Sequence, residues 1–173
     1  MGEYGSSALA REKVFEYFSR RQGTPVCLLR LNYAVEPRYG VLTDIARKVY
    51  AGQPVDVTMG HANVIWQGDA NSVCLRAFPL CATPPAALNV TGLETLSVRE
   101  LAERFGRRLG RSPVVAGTEA PNALLSNARR CAELFGPPSL GVDELVEMVA
   151  AWIEAGHPLW DKPTHFEVRD GKF

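Results

Sequence analysis

The chain has 173 residues, 46% hydrophobic and 22% charged, a composition typical of a globular protein with a core of domain size. Its 19 basic and 19 acidic side chains leave no formal net charge, which gives no support to a nucleic-acid or anionic-membrane partner. The sequence has no apolar run of the ~20 residues that a membrane span needs and no signal-type stretch, so we expect a soluble, cytoplasmic protein.

The first half of the chain alternates between helix and strand patterns. Apolar residues at helical spacing predict a helix over 6–22, with Gly23 as its stop, and the nearly continuous apolar run 25–31 predicts a buried strand. A second helix is predicted from Val41 to Tyr50, and short strands are predicted at 55–58 and 62–66.

The second half continues the alternation. Asp69 is placed to cap a helix running to about Cys81, and a strand returns at 87–90. Ser97 and Glu100 form a capping box for a helix that ends at Gly110, and a last helix is predicted over 142–155. We therefore expect a single α/β unit over 1–173 with some parallel pairing, and a C-terminal tail, 156–173, that wraps over the core or a partner.

Several motifs of nucleotide and metal sites are missing from this sequence. It contains no GxGxxG, GxxxxGK[ST] or GxSxG segment, so the backbone cradle that holds a pyrophosphate is absent. The four cysteines form no CxxC pair, and Cys74 and Cys81 fall in an apolar helical pattern that favours packing. The three histidines show no ligand spacing, so no metal site is expected.

Five segments together resemble the NAD-dependent epimerase/dehydratase family, the extended short-chain dehydrogenases/reductases. YGSSALARE at 4–12 is similar to the family's YGxSKxxxE helix, and LLRLNY at 28–33 is similar to the strand that follows that helix. Further similar segments, in the family's order, are GHANVIWQGDA at 60–70, NVTG with SVREL at 89–101, and LFGPP at 134–138. Each is weak alone, whereas five in order over most of the chain are hard to obtain by accident.

The resemblance implies the C-terminal portion of a Rossmann-like fold, with parallel strands, covering helices and a small substrate-binding region. It implies NAD or NADP as cofactor, a sugar-like substrate with a hydroxyl or carbonyl group, and a possible homodimer through the tyrosine helix. The family's glycine-rich half has no counterpart here, so the chain is expected to be a truncated, substrate-binding half. Such a half would leave the strand 26–31 and the apolar face of the first helix partly bare.

The resemblance assigns the catalytic tyrosine to Tyr4. In the family, a lysine one helical turn later lowers the tyrosine pKa and binds the nicotinamide ribose; that position here is Ala8. Tyr4 is thus either a proton donor to substrate or an aromatic residue at a frayed helix start.

The remaining candidate residues follow strands or open helices. Arg30, with Tyr4, is assigned to the cofactor side by the resemblance. Asn32 or Tyr33 either contacts substrate, since ligands of α/β sheets bind beyond the carboxyl ends of strands, or packs as an ordinary loop residue. The other substrate-binding candidates are Arg38, in a turn beyond that strand, and Trp66 with Gln67, which line the cleft or pack in the core.

Two functions are consistent with these observations. The first is an NAD(P)-dependent epimerase, dehydratase or reductase, of which this chain supplies the substrate side and is inactive alone. The second is a non-catalytic α/β binding or interaction module derived from that fold. Ala8 and the missing glycine loop favour the second, whereas the ordered motifs favour the first as ancestry.

Overall fold

Helices and short strands alternate along the chain in the computed structural model, which describes residues 2–160, 162 and 164–168. The helices are α1 (Glu3–Gln22), α2 (Val41–Tyr50), α3 (Gln67–Arg76), α4 (Val98–Leu109), α5 (Arg129–Phe135) and α6 (Val142–Glu154). The strands are β1 (Cys27–Leu31), β2 (Ala34–Val35), β3 (Pro54–Asp56), β4 (His61–Ala62), β5 (Ile65–Trp66), β6 (Ala86–Val90), β7 (Leu96–Ser97) and β8 (Val114–Ala116). None of the described helices is both long and apolar enough to cross a membrane.

The strands associate in pairs, and three of the four pairs are parallel. β1 lies beside β6 over its whole length, from Cys27 opposite Ala86 to Leu31 opposite Val90. β2 pairs with β5 and β3 with β8, also in parallel, whereas β4 and β7 are antiparallel. Parallel neighbours need long crossover connections, which the helices provide, so the predicted α/β class is confirmed.

Two predicted elements in the middle of the chain are wrong in detail. The expected single strand at 62–66 is two strands, because Ala62 pairs with Leu96 of β7 while Ile65 pairs with Ala34 of β2. The helix expected to reach Cys81 ends at Arg76 and is followed by a single 3₁₀ turn.

Asp69 does not cap α3, contrary to the sequence prediction. The helix begins at Gln67, with Trp66 in the capping position, so Asp69 lies in its first turn. Its carboxylate accepts hydrogen bonds from the Ser139 amide at 2.9 Å and the Ser139 hydroxyl at 2.7 Å. Asp69 therefore ties α3 to the segment that precedes α6, a contact across 70 residues of sequence.

The main hydrophobic core lies among α2, α4 and α6. α2 and α4 are amphipathic, and their apolar faces supply Leu42, Ile45, Leu101 and Phe105, all buried at 1% exposure or less. A second cluster fills the space between the β1–β6 pair and the helices α3 and α5; it includes Leu88, Val73 and Cys131. Burial of these side chains is the chief stabilising contribution to the fold.

In contrast, α1 contributes little to either cluster. Its hydrophobic side chains are about half exposed: Leu9 is 46% exposed, Val14 55% and Phe18 47%. The helix is joined to β1 by the ion pair of Glu12 with Arg30, whose nearest atoms lie 2.7 Å apart. The partly bare apolar face expected for this helix is thus present in the structure.

Described residues of the tail pack against α2. We call its described residues 160, 162 and 164–168 the strap. Phe166 is 2% exposed and joins the main core, while Thr164 donates its hydroxyl hydrogen to Asp44 of α2. A salt bridge of 3.6 Å joins Glu167 to Lys48, also on α2. The strap therefore forms part of the folded unit.

Candidate functional site

A cleft of about 580 Å³ lies beyond the carboxyl end of β1. Its walls bring together three of the residues singled out from the sequence, Tyr4, Asn32 and Tyr33. Its volume falls within the ~300–1,000 Å³ of small-molecule sites, and its place at a strand end is where α/β folds bind ligands. We therefore take it as the candidate functional site.

Tyr33 occupies an unusual backbone position in this cleft. Its φ of +43° lies in the left-handed region that residues with side chains seldom adopt. Burial raises the pKa of its phenol, and the nearby Glu167 carboxylate adds to the rise. The Tyr33 hydroxyl therefore stays neutral at ordinary pH and can both donate and accept a hydrogen bond.

Asn32 is held by its backbone and leaves most of its amide available. Its backbone N–H donates to the Val90 carbonyl at 3.0 Å, extending the β1–β6 ladder by one residue. Its side-chain Nδ2 makes one long contact of 3.4 Å to the carbonyl of Leu124, which also lines the cleft. The amide can therefore offer its oxygen and a second N–H to a ligand in the cleft.

Tyr4 lies in the first turn of α1 with its side chain 64% exposed toward the cleft. Ala8 follows on the same helix face one turn later and is half-buried, as the i, i+4 spacing predicts. The phenol can exchange a hydrogen bond with a substrate oxygen. The alanine methyl cannot supply the positive charge that the family pattern places there.

Arg30 makes a two-pronged ion pair with Glu12 of α1. Its Nε lies 2.9 Å from one carboxylate oxygen and its Nη2 lies 2.7 Å from the other. This hydrogen bonding lowers the pKa of Glu12. The guanidinium thus joins β1 to α1, and the cofactor contact expected of Arg30 stays a prediction.

The other substrate-binding candidates lie outside the cleft. Arg38 contacts both carboxylate oxygens of Glu36 at 2.9–3.0 Å and stacks over the Trp160 ring, in a neighbouring cleft of about 250 Å³. Gln67 donates to Asn71 within α3 at 3.0 Å.

Trp66 packs partly against the main core, with its ring over Gly68. A Cβ at Gly68 would lie 2.5 Å from that ring, which explains the glycine. Trp66 thus packs against the core, and a contact of Trp66 with substrate stays a prediction.

Three further residues of the cleft were not predicted from the sequence. Tyr39 lies in a tight turn after β2, and Lys162 and His165 come from the strap. The tail has no hydrophobic period, so nothing in the sequence alone indicated which of its side chains would face inward.

Two helix starts in the described part of the chain are poorly placed to hold the pyrophosphate of a dinucleotide. At the start of α2, a Cβ on Gly40 would lie 2.9 Å from Val35, so that glycine serves close packing. The first amides of α4 and α6 are already engaged, since Glu100 N donates to Ser97 and Gly141 N donates to Glu144. Anion binding at a helix N-terminus needs such amides to be free. The part of the chain described by the structure also contains no His, Cys, Asp or Glu cluster suited to a metal ion.

No family model matches this chain, and no curated protein is detectably similar to it. Solved structures do match. The UDP-glucuronic acid 4-epimerase of Bacillus cereus, in complex with NAD, superposes with a TM-score of 0.76 at 14% identity, over 91% of this chain and 54% of that one. The UDP-glucose 4-epimerase of Thermotoga maritima, with UDP-glucose, superposes with a TM-score of 0.69 at 16% identity, over 86% of this chain and 52% of that one. RMD of Pseudomonas aeruginosa, complexed with NADPH, superposes with a TM-score of 0.67 at 16% identity, over 86% of this chain and 55% of that one.

The fold is that of the Rossmann-like extended short-chain dehydrogenases/reductases. The chain spans about half the length of these matched structures. At 14–16% identity the likeness concerns the fold, so the roles of individual residues depend on the geometry of the cleft.

Proposed function

We propose that this chain supplies the substrate side of an NAD(P)-dependent epimerase, dehydratase or reductase acting on a sugar-like hydroxyl or carbonyl compound. The observation that carries the proposal is the meeting of Tyr4, Asn32 and Tyr33 in one cleft beyond the carboxyl end of β1. The likeness in fold to sugar-nucleotide epimerases supports the same class of substrate.

In this proposal the three side chains divide the binding of the substrate. The Tyr4 phenol hydrogen-bonds the oxygen at the reacting carbon, because it is the most exposed of the three. Asn32 and the neutral Tyr33 hydroxyl orient neighbouring hydroxyl groups. A polyhydroxylated substrate suits such a wall because each partner can both donate and accept.

The nicotinamide cofactor would supply the redox chemistry, and the residues that hold its pyrophosphate would lie outside these 173 residues. This part of the proposal follows from the engaged helix starts described above and from Ala8 at the lysine position. A homodimer through α1, whose apolar side chains are half exposed, fits the same scheme. We also propose a cytoplasmic location.

The second candidate function is a binding module without catalysis. Two observations favour it: Ala8 removes the cation beside Tyr4, and Arg30 is already paired with Glu12. Such a module would bind the sugar-like ligand and would not need a nucleotide cofactor.

The test is calorimetric titration of the purified chain with UDP-glucose and, separately, with NADH and NADPH. We expect UDP-glucose to bind and Tyr4→Phe or Asn32→Ala to weaken it several-fold, the loss of one hydrogen bond. Asn71→Ala, an amide on α3, is the matched control and should leave affinity unchanged. We expect either dinucleotide to bind weakly or not at all. Absence of sugar binding, or a dinucleotide dissociation constant in the low micromolar range, would contradict the proposed division of roles.

A further inference from the structure

We propose that the strap makes the cleft selective for anionic hydroxy-compounds, with Lys162 binding a carboxylate or phosphate attached to the sugar-like part. The proposal deepens the proposed function, on which it depends for the hydroxylated part of the ligand. Nothing in the sequence pattern pointed to the strap as part of a site.

The strap is fixed where it meets the cleft. Phe166 is inserted in the main core, Thr164 is hydrogen-bonded to Asp44, and the backbone N–H of Trp160 donates to the Arg38 carbonyl at 3.1 Å. These anchors stand on both sides of Lys162. Its ammonium lies 5.7 Å from the centre of the Tyr39 ring, a cation–π distance that holds it at the cleft wall.

Lys162 gives the cleft its charge. Among the described residues that line it, Lys162 is the one formally charged side chain at neutral pH. The adjoining smaller cleft shares Tyr39 and Lys162 with it and adds two cationic residues, Arg38 and Arg47, and one acidic residue, Asp44.

Three acidic groups lie near these cations. Glu36 is paired with Arg38 and Glu167 with Lys48, whereas Asp44 accepts a hydrogen bond from Thr164 and keeps its charge. The described linings of the two clefts together hold three cationic side chains and one carboxylate, a surplus of positive charge that favours an anionic ligand.

The backbone at two points of the cleft lining supports a ligand site at this place. Tyr33 and His165 are the two residues other than glycine with positive φ in the described chain, at +43° and +52°, and both line this cleft. Such conformations cost free energy and are concentrated where function requires a fixed geometry. His165 and Tyr33 would hydrogen-bond the hydroxyl groups while Lys162 holds the anionic end.

The experiment compares glucuronate, glucose 6-phosphate and glucose as probes of the full chain, followed by amide chemical shifts and by tryptophan fluorescence, since Trp160 lines the smaller cleft. We expect the two anionic sugars to bind at least tenfold more tightly than glucose, as a charge-assisted hydrogen bond implies. Preference between the carboxylate and the phosphate distinguishes the two sources of charge. Lys162→Gln should abolish the advantage and Lys162→Arg should keep most of it.

Lys13→Gln is the matched control, because Lys13 is an exposed lysine on α1 paired with Glu16. It should leave binding of all three probes unchanged. Equal binding of glucose and the anionic sugars, loss of binding in Lys13→Gln, no binding at all, or no effect of Lys162→Gln would each overturn the proposal. If Lys162→Gln weakens binding and Tyr4→Phe does not, the strap proposal stands and the proposed role of Tyr4 falls.

Discussion

Phe166 is the residue on which attachment of the strap depends, and Phe166→Ala tests that dependence. The side chain is 2% exposed within the main core, so its removal loses apolar burial and leaves a cavity. Such changes cost about 3–5 kcal/mol. In a domain of this size, that loss lowers the melting temperature by about 6–20 °C.

The assay is urea unfolding followed by circular dichroism and by tryptophan fluorescence, to which Trp160 of the strap contributes. Phe78→Ala is the matched control, since Phe78 is 72% exposed and its loss should change the free energy of unfolding by less than about 0.5 kcal/mol. If Phe166→Ala unfolds with the same free energy as the unmodified chain, the strap is not part of the core and the wall of the cleft that it forms is not fixed.

Three further predictions concern α1 and the cysteines. Ala8→Lys places an ammonium one helical turn from Tyr4, so phenolate absorbance should begin at lower pH than in an Ala8→Gln control; identical titrations would show that the two positions do not share a face. The half-exposed apolar face of α1 should bind hydrophobic dye and promote self-association, and Phe15→Glu should reduce both; a dye-silent, monomeric chain in light scattering would contradict this. Exposed Cys74 should react first with a thiol reagent. Burial raises the pKa of the Cys131 thiol, so this thiol stays protonated and should react slowly; equal reaction rates of the two cysteines would refute the reasoning.

Helices with strong local signals were predicted well from the sequence. The bounds of α2 agree with the prediction because its apolar residues recur at helical spacing and Gly52 follows. The start and end of α4 agree because Ser97 accepts the Glu100 amide and Gly110 adopts a left-handed conformation. In both helices, residues within or next to the helix determine where it begins and ends.

Features that depend on distant partners were missed. β8 is a three-residue strand, recognisable only by its pairing with β3, and Cys74 proved exposed although the apolar pattern around it favoured packing. Asp69 has the residue type of a cap, but its partner lies 70 residues away.

The candidate site likewise combines residues that the sequence indicated with residues placed by distant contacts. Motif resemblance brought Tyr4, Asn32 and Tyr33 to attention, and the fold places them together. Lys162 and His165 come from a segment without periodicity. Their position follows from the burial of Phe166, a tertiary contact that the sequence pattern does not encode.

The weak attachment of α1 has a consequence for how the molecule opens. Its one buried residue among those described is Ser19, so the helix can separate without disturbing the packing of α2, α4 and α6. Its amide hydrogens should therefore exchange with solvent through local openings of low free energy. The amide hydrogens of the central helices should exchange only through global unfolding. Since Tyr4 is carried by α1 and Tyr33 by the loop beyond β1, the two tyrosines of the cleft belong to regions with different opening free energies. A ligand that bridges them would slow exchange in α1 more than anywhere else in the chain.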